Sequence, residues 1–206
     1  MSRTPLLLAL HSTSQDFGVA VLDPLRCDHG VLKMVFPDGR GLSNSLISRI
    51  DALLDKERWM GLEGLAVATG PGGFTGTRLS VVLARSLAQQ LGCPLLGVSS
   101  YALMAARLAC QLPPASEPFW IRRDLPRRGQ VVGCYRVQAD QVEELERPQL
   151  QASDCSLGPR VVMAEDDVDK DVARLLQLLR DALARGEHCP WQSVLPIYPT
   201  SPVGPV

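Results

Sequence analysis

The stretch ATGPGGFTGTR, residues 68–78, constrains this chain more than any other. An apolar run, Leu65 to Ala68, comes before it, and a segment with helical spacing from Thr75 to Leu91 comes after it. Strand, glycine turn and helix thus succeed one another directly. Gly70, Gly72, Gly73 and Gly76 suit a backbone that needs positive φ and close approach to a neighbour. Thr75 is placed to cap the helix through its hydroxyl. Free amides at a helix start attract anions, which makes Gly72, Gly73 and Thr75 candidate nucleotide contacts. The spelling matches neither GxxxxGK followed by Ser or Thr, nor GxGxxG, because no lysine precedes Thr75 or Thr77 and Thr75 itself stands where the last glycine belongs.

Two stripes run along this helix. Leu79, Val82, Leu83 and Leu87 form an apolar one, expected to face the core. Gly76, Ser80, Ala84 and Ala88 form one of small residues at a spacing of four, which either packs on the chain's own sheet or lets a second helix come close. Thr77, Arg78, Val81 and Arg85 lie beyond it on a face neither plainly polar nor plainly core.

Upstream, Leu6 to Leu10 and Phe17 to Leu22 read as a hairpin, and Gly30 to Phe36 as a third strand. Ser43 or Ser45 is expected to cap a helix with Leu46, Ile47, Ile50, Leu53 and Leu54 on its apolar side and Ser48, Arg49 and Ala52 on the other. Pro94 to Val98 is a further strand, so the alternation predicts parallel pairing. Ser99 or Ser100 then caps a helix through Leu108. The segment QLPPASEP, residues 111–118, reads as a linker, dividing the chain into 1–110 and 111–206. Beyond it, Phe119 to Ile121 and Val131 to Val137 are expected as strands around the basic turn RRDLPRRG. Arg160 to Ala164 is another strand, and Asp166 or Asp167 caps a last helix that stops at Gly186. The fold class is α/β, in two subdomains, each a mixed sheet flanked by helices. A proline-rich tail ends in residues expected to be disordered.

Composition excludes several roles. A net charge of −1 over 206 residues gives no general attraction to polyanions. Arg122, Arg123, Arg127 and Arg128 form the one basic cluster, either a solvated hairpin or a direct tRNA contact. No apolar run is long enough for a bilayer, and the opening MSRTPLLLALHSTS has no full signal-peptide pattern, so a cytoplasmic protein is expected. Six cysteines (Cys27, Cys93, Cys110, Cys134, Cys155 and Cys189) show no CxxC spacing and read as reduced and mostly buried. His11, His29 and His188 form no metal-binding pair. No GxSxG elbow is present, and Glu143, Glu144 and Glu146 lie in a polar stretch. No catalytic, metal or cofactor residues are assigned.

GPGGFTGTR, with GVSS about twenty residues on, resembles the GPGSFTGxR-to-GVS segment of the bacterial TsaB (YeaZ) family, partners of the transferase TsaD. LLALHSTSQDFGVAVLD is similar to that family's opening hairpin, FWIRRDLPRRGQVVGCYRV to its IDARxGEVY segment, and PIYPTSP to its ending. The resemblance implies an actin-like ATPase (ASKHA) fold, no catalysis of its own, and pairing with a TsaD-like paralogue or, without it, a homodimer. It further implies work with the ATPase TsaE and the synthase TsaC in forming threonylcarbamoyladenosine beside the anticodon of tRNA, which is met mainly through the complex. The helices from Ser43 and Thr75 would form the partner face, with Ser48, Arg49, Ala52, Gly76, Thr77, Arg78, Ser80, Val81, Ala84 and Arg85 as contacts. The sequence departs from the family at His11, where relatives carry Asp. Mg²⁺ with a triphosphate needs carboxylate ligands, and His11 reads instead as a hydrogen-bonded residue at a strand end. An actin-like nucleotide-dependent small-molecule kinase or acyltransferase is the competing class.

Overall fold

The computed structural model describes residues 5–25, 30–113, 117–139 and 141–200. Cys27, His29 and the last six residues of the tail lie outside this set. The first sheet has the order β3-β2-β1-β4-β5, built from β1 (Leu7–His11), β2 (Phe17–Leu22), β3 (Val31–Phe36), β4 (Gly64–Ala68) and β5 (Leu95–Val98). β1, β2 and β3 pair antiparallel, while β4 pairs parallel with both β1 and β5. With the crossover helices α1 (Leu42–Asp51) and α2 (Phe74–Leu91), this is the expected actin-like α/β subdomain.

Alternation along these strands sends side chains to two buried faces. Leu8, Leu10, Val19, Val21, Leu65 and Val67 meet Leu46 and Ile50 of α1 and Val81 and Ala84 of α2. Leu7, Ala9, Ala20, Leu22, Ala66 and Ala68 meet Val172, Leu175, Leu176 and Leu179 of α4 (Val168–Ala184). A sheet covered on both sides accounts for strands that read as unbroken apolar runs. Gly18 is needed here, because a Cβ on it would come within 2.6 Å of Val168 Cγ1 and hold α4 off the sheet.

The second sheet has the order β8-β7-β6-β9, from β6 (Phe119–Leu125), β7 (Gly129–Gln138), β8 (Gln141–Gln151) and β9 (Val161–Met163). Its one apolar face packs Phe119, Ile121, Val131, Tyr135 and Val162 against Tyr101, Met104, Ala105 and Leu108 of α3 (Ser100–Ala109). The helices are therefore exchanged: α3, from the first half, covers the second sheet, and α4, from the second half, covers the first. The boundary expected after residue 110 thus separates two segments that each serve both layers.

Local details also differ from expectation. Gly73 and Gly41, not Thr75 and Ser43 or Ser45, occupy the N-cap positions of α2 and α1, and neither makes a side-chain cap bond. Ser99 and Asp167 do cap, accepting from the amides of Ala102 and Lys170. β8 is an added strand at an edge, where one partner suffices and polar side chains can face water. Of the five described cysteines, only Cys134 is buried. At the β6–β7 turn, Arg127 holds φ at 64°, a left-handed conformation that costs a residue with a Cβ roughly 1–2 kcal/mol.

Candidate functional site: an interlobe cleft and an exposed helix pair

The glycine turn after β4 meets the turn between β1 and β2. A Cβ on Gly72 would lie 1.9 Å from the Thr13 carbonyl oxygen, and one on Gly76 2.7 Å from that of Ser12, so both glycines are needed for close approach. The Gly73 amide donates to the Thr13 carbonyl at 2.7 Å, and Ser12 Oγ donates to the Gly76 carbonyl at 2.9 Å. The Ser12 and Ser80 hydroxyls share a buried hydrogen bond of 2.7 Å. The turn binds the chain's own hairpin. An amide expected to be offered to a phosphate, that of Gly73, is thus already engaged.

A cavity of about 280 Å³ lies between this junction and the second sheet, lined by Thr13, Gly72, Gly73, Tyr101, Arg123 and Asp166, among others. Arg123 pairs with Asp166 at 2.7 Å, and Arg107 with the buried Asp171 at 3.3 Å. Burial lifts the Asp171 carboxyl to about 6 despite Arg107. The tail borders the cleft: the Ile197 amide donates to the Thr69 carbonyl at 2.7 Å, and the Tyr198 ring lies 4.7 Å from that of Phe74.

His11 ends β1 with 1% of its surface exposed. The expected side-chain hydrogen bond is not found, since neither ring nitrogen has a partner among the described residues. Burial depresses its pKa to about 4, and the ring is neutral at pH 7. Mg²⁺ takes oxygen ligands, usually a carboxylate or two with substrate phosphates. At this strand end the chain offers a neutral imidazole, and Asp166 is committed to Arg123. The donor set does not fit a metal–triphosphate. Among the described residues, no group of three or more His, Cys, Asp or Glu is placed to hold a metal ion.

On α1 the expected apolar side is buried at Leu46, Ile50, Leu53 and Leu54, with Ile47 the exception, while on α2 the faces differ from expectation. Thr77, Ser80, Val81 and Ala84 are buried against the first sheet and are not on the surface, while Gly76 is half-buried. Outward lie Val82 at 54% exposure and Ile47 at 41%, with Leu79, Leu83 and Leu87 half-buried beside the core. Arg49 forks onto Asp38, its nearest contact at 2.8 Å, and covers the Phe36 ring; Arg85 sits over Trp191. Of the ten expected contacts, Ser48, Ala52 and Arg78 are exposed. Helical spacing fits either stripe to the core, and close helix-to-sheet contact selects the smaller residues.

One network went unread in the sequence. Ser99 Oγ donates to Glu144 Oε1 at 2.6 Å, and the buried Tyr135 hydroxyl donates to the same oxygen at 3.0 Å, tying the end of β5 to β7 and β8. Its signal would have been a glutamate paired across the strands with a tyrosine, visible only once β8 is recognised as a strand.

Two exchanged lobes around a cleft, with a double-covered 3-2-1-4-5 sheet, define an actin-like α/β protein. The family model for TsaD, tRNA N6-adenosine threonylcarbamoyltransferase, matches residues 39–157, more than half of the chain, and the chain belongs to this family. Two solved structures from Pseudomonas aeruginosa share the fold. One is of a protein with similarity to peptidase YEAZ (22% identity, TM-score 0.71), the other of YeaZ (22%, 0.69). Each alignment covers 94% of this chain and 99% of the other. Comparison with curated proteins gives no match. Among the described residues, no helix is long and apolar enough to cross a membrane.

Proposed function

We propose that this chain is a non-catalytic, TsaB-type member of the family that scaffolds and activates a TsaD-like transferase in forming threonylcarbamoyladenosine next to the anticodon of tRNA. The observation that carries this is that each of the two helices leaves an apolar side chain open to water, Ile47 on α1 and Val82 on α2. Apolar groups exposed on paired helices suit a partner surface. The partner is a TsaD-like paralogue; without it a second copy of the chain takes its place, and a TsaE-like ATPase joins through the complex. The cleft supports a non-catalytic role, since its carboxylate is paired and its glycine turn is occupied by the chain's own hairpin.

Val82→Arg tests this. Because Val82 is exposed, the variant should melt within about 0.5 kcal/mol of the parent while losing at least tenfold in affinity for the TsaD-like partner in a pull-down or titration. Unchanged association would overturn the reading. A second reading, a nucleotide-dependent kinase or acyltransferase, is favoured by one observation: the buried Thr13 hydroxyl on the cleft wall has no partner among the described residues. Micromolar binding of ATP with Mg²⁺ by the isolated chain, measured by calorimetry, would establish it.

A further inference from the structure

The four arginines of the β6–β7 hairpin fall into two classes. Arg122 pairs with Asp124 at 3.1 Å and Arg123 with Asp166 at 2.7 Å. Arg127 and Arg128, at the tip, are exposed and have no carboxylate or ring partner among the described residues. The tip is nevertheless well defined. The Arg128 amide donates to the Leu125 carbonyl at 3.0 Å, and Gly129 at φ 113° packs so close to β8 that a Cβ would lie 2.2 Å from the Gln151 oxygen. Arg127 is held left-handed, where glycine or asparagine is the ordinary choice. A strained residue whose side chain has no internal use points to an external one. Leu125 and Arg123 of the same hairpin line the cleft, so the tip stands at its rim.

We infer that the Arg127–Arg128 tip is a contact for the phosphate backbone of tRNA. The inference rests on the family reading but not on the α1–α2 surface. It gives the substrate RNA a foothold on this chain, so that the scaffold binds both transferase and substrate. Paired cations on a rigid turn suit phosphates, and the low net charge elsewhere makes this tip a localised attachment.

The test is binding of an unmodified tRNA transcript to the full chain at low salt, with heparin run beside it. Arg127→Glu with Arg128→Glu should weaken tRNA binding at least tenfold and flatten the plot of log affinity against log salt by roughly 1–2 units. Arg127→Gly separates function from folding: it should raise the melting temperature, by relieving the turn, while weakening tRNA binding about threefold. Wild-type chain that does not bind the transcript, a double variant that binds it unchanged, or binding to heparin alone would each overturn the inference. The hairpin variants should still capture the TsaD-like partner and Val82→Arg should still bind tRNA, so this inference and the scaffold reading fail separately.

Discussion

The two sheets share a strand order over four strands yet differ in how they are covered. The first is enclosed by α1 and α2 on one side and α4 on the other, and its central strands are apolar except for His11 at the end of β1. The second has α3 on one side. Its opposite face carries Trp120, Arg122, Cys134, Arg136 and Met163, a mixture of polar and apolar side chains. The difference shows that a strand's composition reports its number of covers more faithfully than its place in the fold. It also shows which layer holds the molecule together and which is free to offer side chains outward.

Inverting a surface on each layer breaks or sharpens this contrast most strongly. Ala84→Arg forces a charge between α2 and the first sheet, where Ala84 is fully buried, and should cost roughly 4 kcal/mol or more, seen as loss of the cooperative melt. Met163→Arg, on the open side of the second sheet at 50% exposure, should change stability by less than about 0.5 kcal/mol. Equal losses would abolish the distinction.

His11 gives the next effect, at the end of the first sheet. Its folded pKa of about 4 lies below the ordinary 6.5, so the unfolded chain takes up the proton first. The stability its neutral form contributes is complete above 6.5 and is lost as pH falls toward 4. Asp171, raised to about 6, works in the opposite sense between pH 4 and 6, because there the folded state holds the extra proton. Replacing His11 with Leu removes only the first contribution. The stability of His11→Leu relative to the parent should therefore rise by about 2 kcal/mol between pH 7 and pH 5, as read from denaturant melts. A constant difference would show that the ring finds a partner.

A more modest loss than those at Ala84 and His11 is expected at the junction of the layers. Tyr135→Phe removes one hydrogen bond to Glu144 and should cost about 1–2 kcal/mol. No measurable loss would mean that Ser99 alone suffices to hold the two lobes in register.

Much of this was legible in advance. The apolar runs in LLALH and FGVAVL, and the glycines after β4, located the first layer and its crossover, because burial on two faces leaves an unmistakable apolar run. β8 was illegible: Glu143 to Gln151 pairs with β7 on one side only, and an edge position imposes little on its side chains. Gly72 and Gly76 were correctly read as sites of close approach, but the neighbour was the β1–β2 turn, and only long-range contacts could reveal that. The small stripe of α2 fits either the chain's own sheet or a second helix until the buried Ser12–Ser80 hydrogen bond comes into view, which sets Ser80 and Ala84 against the sheet. Among the arginines, sequence located the cluster but not which members were already spoken for.

The exchange of α3 and α4 means that the two halves of the chain are joined by more than the backbone that runs between them. A protease that nicked it would release nothing, since each fragment carries the roof of the other's sheet and the pieces would stay clasped. Neither fragment, made by itself, would have somewhere to hide its bare sheet. The lobes are thus halves of one cooperative body whose genetic seam lies away from its mechanical one.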